Sequence, residues 1–454
     1  MIKLEVIDIA INGDKIAKDN LGKVYFLKLN KIQIGNIVYI NEENQDILKV
    51  EVTEKNILPK CFKNNICNNC PLMPIKYIYQ LELKQNIVKQ ALKKQGKLNK
   101  EELDNLKLNV ISDDNLYNNI FKYRNKIELN YDNQKNICGY VVHQIDNVKN
   151  TEKNIEKNNF NKQILKIDEC ILAKDNINKI IKNIYEIISE VLTKQEISKL
   201  KRIMIRENYL GEIDINFKLD KKVNLKIDKK TYAKLDEKTQ IKLLKNNIHR
   251  ISINDEIKYV SDKEYEFKMK ISNYLFKIDT SNFFQVNDFM TYRLYDEIVK
   301  KMLIIDNYRD KKVLELYSGV GTITIYLAKY VKKILGIEIN QRAEQLSKEN
   351  AKINKVNNVD FKSRDAKKLI DKYINDYDIL IVDPPRKGIS KKEISQILNS
   401  NIQNIIYVSC NPVTLARDIS YLKEHYTLDN NISIIDMFPN TNHVETVALL
   451  SKLN

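Results

Sequence analysis

The chain has 454 residues, which predicts two to four domains and leaves ample length for a hydrophobic core. No apolar run approaches the roughly 18 residues of a membrane helix, and the alternating N-terminus lacks the apolar core of a signal peptide, so we expect a cytoplasmic protein with no membrane partner. The net charge of +16 favours a nucleic-acid partner, although only ten of the 76 basic residues are arginine and a lysine-rich solvated surface would give the same charge.

Residues 1–57 are predicted to form short strands of a small antiparallel β-barrel. Apolar and polar residues alternate there, and turn residues such as Asn12-Gly13-Asp14 separate the strands. Basic residues stand beside Tyr25 and Phe26, a mixture that suits RNA binding as well as an ordinary solvated barrel. These basic residues are Lys15, Lys18, Lys23, Lys28 and Lys31.

Three of the six cysteines cluster at the start of residues 58–279, which we predict to be a central α+β domain. They are Cys61, Cys67 and Cys70, and Pro71 follows the last of them. In a cytoplasmic chain, clustered thiols favour a metal site or catalysis over disulfides. This spacing, with proline after cysteine, is typical of iron–sulfur ligands, whereas zinc would need a fourth thiolate because no histidine is near. Cys138 and Cys170 are the two candidates for the fourth ligand.

The rest of the central domain has weaker signals. Amphipathic helices are expected at 80–94, 177–192 and 234–247, and paired strands at 260–278. Residues 146–162 are rich in Asn, Lys and Glu, which predicts a solvated loop.

From residue 280 to 454, strands alternate with helices, which predicts a doubly wound parallel sheet. Ligands of such sheets bind at the carboxyl ends of the strands, so the residues that follow each strand are candidate site residues. The strands are expected at 312–316, 333–338, 378–383 and 405–410, and the helices at 322–330, 342–354, 391–400 and 413–425.

The first strand-to-helix turn resembles a nucleotide-binding turn. Gly319 and Gly321 allow the backbone to turn tightly beneath a ligand, and Glu338 ends the next strand, where its carboxylate can accept hydrogen bonds from ribose hydroxyls. Ile323-Thr324 occupies the place of the third glycine of the dinucleotide fingerprint. This departure favours S-adenosylmethionine over NAD, because S-adenosylmethionine has no pyrophosphate.

A later strand ends at Asp383, which two prolines and Arg386 follow. The proline ring nitrogens carry no amide proton, so the nearby carbonyls and the Asp383 carboxylate are free to bind a planar ligand. The alternative is an ordinary aspartate in a turn. Methyltransferases that act on amino groups carry an aromatic residue where Arg386 stands, which argues against N-methylation.

Cys410 ends the next strand, where a lone cysteine is either a core residue or a nucleophile. A thiolate that adds to C6 of a pyrimidine makes C5 nucleophilic, and a base must then remove the C5 proton. Glu445, at the entry to the last strand, is the candidate base, with His443 as the competing residue. An exposed strand-end carboxylate is the alternative interpretation of Glu445.

These residues together resemble the RNA 5-methyluridine methyltransferase family. In that family Cys410 corresponds to the nucleophile and Glu445 to the proton acceptor, while Gln285, Tyr317, Glu338 and Asp383, with the turn glycines, correspond to S-adenosylmethionine contacts. The matching stretches are Ser281-Asn282-Phe283-Phe284-Gln285-Val286-Asn287, Tyr317-Ser318-Gly319-Val320-Gly321, Ile337-Glu338, Asp383-Pro384-Pro385-Arg386-Lys387-Gly388, Ser409-Cys410-Asn411-Pro412 and His443-Val444-Glu445.

The resemblance extends upstream. Residues 1–57 are similar to a TRAM domain, an RNA-binding barrel, and residues 121–126 to the central-domain signature. It implies Cys170 as the fourth ligand of a [4Fe-4S] cluster with a structural role, zinc as the second choice of metal, and no role for Cys138. The fold implied is an α/β, Rossmann-like methyltransferase domain after an OB-like barrel and a central α+β domain.

The same resemblance favours the branch that acts on 23S ribosomal RNA, with no protein partner and a monomeric state. Three alternatives stay open: a tRNA uridine C5 methyltransferase, a cytosine C5 methyltransferase, and an RNA-binding iron–sulfur protein without activity.

Overall fold

The computed structural model describes residues 1–9, 15–27, 32–113, 119–144, 161–220, 235–366 and 372–453. These residues form three large sheets, of five, seven and nine strands, and one two-stranded hairpin. Within these ranges, no helix combines the length and the apolar character that a membrane crossing requires.

The N-terminal region is an antiparallel sheet with strand order β3-β2-β1-β4-β5. Its strands are β1 (Ile2–Ile9), β2 (Lys15–Lys18), β3 (Val24–Leu27), β4 (Ile37–Ile40) and β5 (Ile47–Glu51). Alternating residues such as Leu4 and Val38 form its core, which Leu72 and Ile75 cover from the next segment. No pairing joins the edge strands β3 and β5 in the part of the chain described, so closure into the predicted barrel is not observed there.

The lysines predicted for an RNA-binding surface differ in exposure. Lys15 is buried, and Lys23 stands over the ring of Tyr25, with its Nζ 5.2 Å from the ring centroid. Lys28 and Lys31 lie outside the described residues.

The next segment crosses from the first sheet to the third. It contains α1 (Asn64–Cys67), α2 (Tyr77–Gln95), α3 (Lys100–Asp104) and β6 (Lys107–Ile111). The predicted helix at 80–94 is confirmed as α2, whose residues Val88 and Leu92 pack into the core of the nine-stranded sheet. Strand β6 joins that same sheet at its edge, so residues 77–111 pack with the C-terminal layer rather than with the central region.

The central sheet has the order β13-β12-β11-β10-β7-β8-β9. Cys138 is buried in its core. The helix predicted at 177–192 is two helices that meet at Asn183, and the loop predicted at 146–162 lies outside the described residues except for its last two, which begin β9. The elements are β7 (Lys126–Asp132), β8 (Ile137–Gln144), β9 (Asn161–Lys166), α4 (Asp175–Lys182), α5 (Ile184–Val191), α6 (Lys194–Ile197), β10 (Leu200–Glu207), β11 (Ile213–Leu219), α7 (Glu237–Lys245), β12 (Ile248–Ile253), β13 (Glu256–Val260) and the hairpin β14 (Lys268–Ile271) and β15 (Tyr274–Lys277).

The C-terminal sheet follows the predicted alternation of strands and helices closely. Its order is β18-β17-β16-β19-β20-β23-β22-β6, with β21 paired to β23. The elements are α8 (Asp288–Leu303), β16 (Lys312–Leu316), α9 (Thr322–Leu327), β17 (Lys333–Glu338), α10 (Gln341–Ile353), β18 (Val359–Ser363), β19 (Ile379–Val382), α11 (Lys391–Leu398), β20 (Asn404–Ser409), α12 (Pro412–Leu422), β21 (Tyr426–Leu428), β22 (Asn431–Ile435) and β23 (Glu445–Lys452), with 3-10 turns at Tyr308–Asp310, Ala328–Tyr330 and Ile374–Asp376.

The prediction of a parallel sheet is correct for five neighbouring strands, and β23 is the strand of this path that runs the opposite way. Strands β18, β17, β16, β19 and β20 run parallel to one another, and β22 runs parallel to β6, whereas β23 runs antiparallel to both β20 and β22. Because β23 runs the opposite way, its first residue, Glu445, lies beside the carboxyl end of β20, where the site is expected.

Candidate active site

The carboxyl ends of four neighbouring parallel strands collect most of the predicted site residues. Tyr317 follows β16, Glu338 ends β17, Asp383 follows β19 and Cys410 follows β20. The register pairs Leu316 with Ile337 and with Val382, and Val382 with Tyr407. These ends therefore lie at one edge of the sheet, where the sequence analysis expects the ligand to bind.

Cys410 and Glu445 are brought together by the pairing of β20 with β23. Ser409 pairs with Thr446 in that register, so one residue further along Cys410 lies opposite Glu445. The Thr446 hydroxyl donates a hydrogen bond of 3.0 Å to the Ser409 carbonyl and fixes this end of the pair. The alternative of an exposed strand-end carboxylate is wrong, because Glu445 is only 4% exposed.

Burial is the main influence on the ionisation of these groups, and neighbouring charges add to it. Burial raises the pKa of Cys410 to about 11, with further increases from Glu445 and Asp383 and an opposing effect of Arg386. Burial also raises the pKa of Asp383 to about 7. Burial and the neighbouring Asp383 raise the pKa of Glu445 well above its ordinary value, against the effect of Arg386. A site of this kind can hold protons on its acids and release them when a charged partner enters.

Arg386 lies at this strand end with contacts that the sequence analysis did not predict. Its carbonyl accepts hydrogen bonds from Asn411 Nδ2 (2.9 Å) and the Thr414 hydroxyl (3.2 Å), which tie the Asp-Pro-Pro loop to the segment after Cys410. Its guanidinium lies 3.4 Å from His443 Nε2. The signal was available, since a basic residue followed the acid at a strand end, but it was used only to argue against N-methylation.

His443 does not fit the role of a base as well as Glu445. Burial and the nearby cations Arg386 and Arg124 lower its pKa to about 4. Its ring packs edge-on against Phe438, with centroids 5.9 Å apart. A ring with so low a pKa is a weak base, and His443 instead lies between Arg386 and the cysteines described below.

The glycine turn holds the Glu338 carboxylate against its own backbone. The Gly319 amide donates to Glu338 Oε2 (3.0 Å) and the Asn340 amide donates to Oε1 (2.8 Å). Gly319 has φ +54° with open space where a Cβ would stand, and Gly321 has φ +82° with a Cβ position 2.9 Å from the Phe361 ring. Only glycine meets both demands at residue 321, a positive φ and a close neighbour.

The two other predicted cofactor residues, Tyr317 and Gln285, form hydrogen bonds within the protein. Tyr317 has φ +64°, and its hydroxyl donates to Glu393 Oε1 (2.6 Å), so that hydroxyl already has a partner. Gln285 is buried, and its carbonyl accepts a hydrogen bond of 3.1 Å from Asn125 Nδ2. Asn287, two residues on, caps helix α8.

Four cysteines line one cavity, which we call the cysteine pocket. They are Cys61, Cys67, Cys70 and Cys170, and the cavity has a volume of about 240 Å³. Its wall also includes Arg124 and His443, so the pocket adjoins the active-site residues around Arg386. Cys138 is not among its lining residues.

The thiols of the cysteine pocket influence one another. Burial is the main cause that raises the pKa values of Cys67 and Cys70, and the neighbouring cysteines raise both further. In the described ranges, no three His, Cys, Asp or Glu side chains converge as they would around a single metal ion. The pocket wall thus offers four thiols around a cavity rather than a ready-made site for one ion.

Known proteins resemble the chain over most of its length. Residues 146–453 match the sequence profile of the family described as tRNA (Uracil-5-)-methyltransferase. An uncharacterized RNA methyltransferase of Clostridium acetobutylicum is 30% identical, over 98% of this chain and 91% of that protein. A second, from Fusobacterium nucleatum, is 29% identical over 84% of this chain and 80% of its own length.

A solved structure shares the fold. The crystal structure of the Pyrococcus abyssi tRNA (uracil-54, C5)-methyltransferase in complex with S-adenosyl-L-homocysteine superposes with a TM-score of 0.65 at 23% identity. The superposition covers 98% of this chain and all of that one, so the fold expected for a methyltransferase is confirmed. From the match of the family profile and the relative at 30% identity, we conclude that the chain belongs to the tRNA (uracil-5-)-methyltransferase family of S-adenosylmethionine-dependent RNA methyltransferases.

Proposed function

We propose that the protein methylates carbon 5 of a uridine in RNA through a covalent bond between the Cys410 sulfur and carbon 6. The observation that carries this proposal is the pairing of β20 with β23, which sets Cys410 opposite the buried Glu445. Asp383 and Arg386 influence both groups electrostatically. A thiol and a carboxylate at one strand end are the two groups that this chemistry needs.

The chain's own residues suit S-adenosylmethionine. The Glu338 carboxylate, held at the glycine turn, is placed to accept hydrogen bonds from ribose hydroxyls. Asp383, Gln285 and the Tyr317 ring complete the proposed contacts, while the Tyr317 hydroxyl stays with Glu393. When bound, S-adenosylmethionine supplies an electrophilic methyl group on its sulfonium.

The proposed reaction begins when the Cys410 thiol passes its proton to solvent water and the thiolate sulfur bonds to carbon 6, which moves the C5=C6 electron pair toward C5 and the C4 oxygen. Carbon 5 then bonds to the methyl carbon as the carbon–sulfur bond of the sulfonium breaks, with its electrons going to sulfur. Glu445 takes the C5 proton, the electrons of that bond re-form C5=C6, and the Cys410 thiolate leaves.

Glu445 must be ionised to act as this base. The raised pKa of Glu445 means that part of the driving force for proton transfer is present in the folded protein, because a carboxylate of raised pKa is a stronger base. Arg386 opposes the rise and so favours the ionised form of Glu445. We assign Arg386 this role.

RNA that contains 5-fluorouridine tests the mechanism, because the base cannot remove fluorine from C5. We expect an adduct that survives denaturation with the wild-type protein and with Cys410-containing controls such as Cys138→Ala. Cys410→Ala should form none. An adduct that persists in Cys410→Ala, or none with the wild-type protein and S-adenosylmethionine, would refute the proposed nucleophile.

We further propose that the cysteine pocket holds a [4Fe-4S] cluster, ligated by Cys61, Cys67, Cys70 and Cys170. Four cysteines line one cavity, which is the number of thiolates that a [4Fe-4S] cluster takes, and zinc is the second candidate. The cluster would supply rigidity to the loop that carries three of its ligands, since methyl transfer through a thiolate includes no redox step. Iron, sulfide and zinc analysis of protein purified without oxygen distinguishes the two metals.

Large-subunit ribosomal RNA is the substrate that we propose first. The supporting argument is the resemblance of residues 1–57 to an RNA-binding barrel together with the cysteine pocket. A tRNA substrate is the second candidate, because the family description names tRNA and the Pyrococcus abyssi tRNA enzyme spans the whole chain, including its N-terminal sheet. A monomeric state, a cytoplasmic location and domain limits at residues 57 and 279 stay predictions.

Nucleoside mass spectrometry decides between these substrates. Ribosomal RNA and tRNA from a strain without the gene would each be compared with the parent strain. Loss of 5-methyluridine from 23S ribosomal RNA supports the first substrate, and loss from tRNA supports the second. Loss of 5-methylcytidine would instead indicate a cytosine enzyme, and unchanged nucleosides with tight RNA binding a non-catalytic protein.

A further inference from the structure

Helix α2 holds the segment that delivers Glu445 to the active site. This segment, residues 436–444, joins β22 to β23, and Glu445 follows it directly. We propose that Lys84 of α2, together with Tyr77 and Gln80, positions Glu445 for removal of the C5 proton. The inference rests on the role proposed above for Glu445.

Lys84 makes an ion pair that is closed to water. Its side chain is fully buried, and so is that of its partner Asp436. The ammonium also donates to the Phe438 carbonyl (2.9 Å), and the Tyr77 hydroxyl donates to the second Asp436 oxygen (2.5 Å). Asp436 and Phe438 are thereby fixed by charge-assisted bonds, which are short and directional.

Gln80 repeats the arrangement one turn away. Its Oε1 accepts from the Asn440 amide (2.9 Å) and its Nε2 donates to Asn440 Oδ1 (3.2 Å). Asn440 has φ +68°, a conformation that few residues other than glycine and asparagine adopt readily. The side chains of Tyr77, Gln80 and Lys84 lie on one face of α2. They hold Asp436 and Asn440, the two ends of a tight turn.

Other elements hold the same segment from different directions. The Leu72 amide donates to the Asn440 carbonyl (3.1 Å), two residues after Cys70 of the cysteine pocket. The Tyr123 hydroxyl donates to the Pro439 carbonyl (3.1 Å), and Asn287 Nδ2 donates to the Met437 carbonyl (3.0 Å). The segment is thus braced by α2, by the central-domain signature and by the cap of α8.

Stability alone does not account for a buried Lys–Asp pair, because desolvation of two charges consumes much of their attraction. The pair does provide a fixed geometry at the start of the segment. Cys410 ends β20, and the next residue, Asn411, caps α12 and donates to the Arg386 carbonyl, contacts that do not involve residues 436–444. A change at Lys84 should therefore move Glu445 relative to Cys410 without disturbing the addition of the thiol to C6.

Lys301 of α8 offers a matched control at the other end of β22. It is 2% exposed, and its ammonium binds Asp429 (3.3 Å) and the Asn431 carbonyl, just before and at the start of that strand. Lys84 binds an aspartate and a carbonyl just after the strand. Both lysines are buried, paired with an aspartate and bound to a backbone carbonyl, but only Lys84 adjoins the segment before Glu445.

The experiment compares full-length Lys84→Met and Lys301→Met on natural uridine RNA with S-adenosylmethionine, by rapid quench and denaturing gel. We expect kcat of Lys84→Met to fall on the order of 100-fold, with little change in KM and with accumulation of a methylated covalent adduct. Lys301→Met should show neither effect, even where it lowers Tm as much as Lys84→Met does. Glu445→Gln, which should accumulate the adduct, and Cys410→Ala, which should form none, serve as references.

Tyr77→Phe and Gln80→Leu decide the matter if Lys84→Met does not fold, since each removes hydrogen bonds and leaves the ion pair in place. Each should lower kcat several-fold with adduct accumulation. If Glu445→Gln accumulates adduct while the α2 variants that fold behave like Lys301→Met, the positioning role is wrong and the proposed function stands. If Glu445→Gln accumulates none, the role proposed for Glu445 fails, and with it this inference.

Discussion

The two settings in which this protein places its reactive cysteines differ in what surrounds the sulfur. In the cysteine pocket, burial raises the pKa values of Cys67 and Cys70, and neighbouring thiols raise both further. At the end of β20, Cys410 has two carboxylates and an arginine as neighbours and no second thiol among its electrostatic partners. Cys410 and its carboxylate neighbours lie at the ends of strands of one sheet, whereas three of the pocket cysteines lie within ten residues of chain around the short helix α1.

This contrast indicates two different uses of one side chain. When thiols destabilise one another's ionised form, a bound cation that all of them coordinate stabilises the thiolates. A thiol between acids and a guanidinium has partners for proton transfer instead. The pocket and the strand end thus suit metal binding and covalent catalysis respectively, although His443 lies between them.

The largest effect should separate the two settings by activity. Cys410→Ala should lower methyl transfer on the order of 10⁴-fold or more, because the covalent step has no other nucleophile. Cys170→Ala should retain activity within about tenfold at temperatures where it stays folded. Methylation assays with tritiated methyl donor measure both. Equal losses in two folded variants would show that the pocket takes part in the chemistry.

Metal removal should lower thermal stability through the cysteine pocket, whereas a change at Cys410 should not. A bound metal contributes folding free energy, and a loss of about 2–4 kcal/mol would lower Tm by roughly 5 °C or more. We expect this for Cys70→Ser and for protein treated with an iron chelator, but not for Cys410→Ala, which should keep its iron content. Calorimetry with parallel metal analysis tests the expectation. A Cys70→Ser protein with unchanged Tm and iron would contradict the proposed ligand set.

The sequence was sufficient for the elements with strong periodicity and local signals. The strands at 312–316 and 333–338 lie where the alternation predicts them, because each is a buried run that ends in a turn with glycine or an acid. Strand β18 (Val359–Ser363) was missed, since its sequence alternates charged and apolar residues at the edge of the sheet. The single helix expected at 177–192 breaks at Asn183, a residue with weak helix propensity.

The pairing of strands that are far apart in the chain could not be predicted from the sequence. Strand β6 joins β22 across most of the chain, and nothing in Lys107–Ile111 alone names its partner. In the site, the resemblance identified Cys410, Glu445 and the four pocket cysteines, but the contact of Arg386 with His443 and the buried pair of Lys84 and Asp436 depend on how loops pack. Single charged residues give no sequence signal for a partner so distant.

A smaller effect concerns the ionisation of Cys410. Its pKa is raised to about 11, first by burial and then by Glu445 and Asp383, and Arg386 lowers it. The thiol is therefore protonated below that pH and becomes reactive as pH rises through it. Glu445→Gln removes a negative charge that opposes the thiolate, so the midpoint of iodoacetamide reaction should move to lower pH. Arg386→Gln removes a favourable positive charge, so the midpoint should move to higher pH.

The pH profile of this alkylation, followed by peptide mass spectrometry at Cys410, measures both shifts, and Cys138 in the same digest reports any general loosening of the fold. A common direction for the two variants would mean that burial alone, and not the neighbouring charges, sets the pKa of Cys410. Opposite directions would confirm that the charges of Glu445 and Arg386 influence the pKa of Cys410.

The smallest effect should come from the surface contact that links the two segments of the cysteine pocket. Lys63 lies between Cys61 and Cys67, and its ammonium binds Asp168 (3.3 Å) and the Lys166 carbonyl (2.9 Å) close to Cys170. Because the pair is partly exposed, Lys63→Ala should cost less than about 1 kcal/mol of stability. Iron content after purification should be unchanged, while iron loss to a chelator should become faster by about twofold to fivefold. Lys182→Ala is the matched control, since its exposed pair with Glu169 (3.5 Å) does not join the segments. If Lys63→Ala removed the metal as fully as Cys170→Ala, the four thiols would not be sufficient to hold it. The contrast between a pocket of shared metal ligands and a strand end with neighbouring charges would then be wrong.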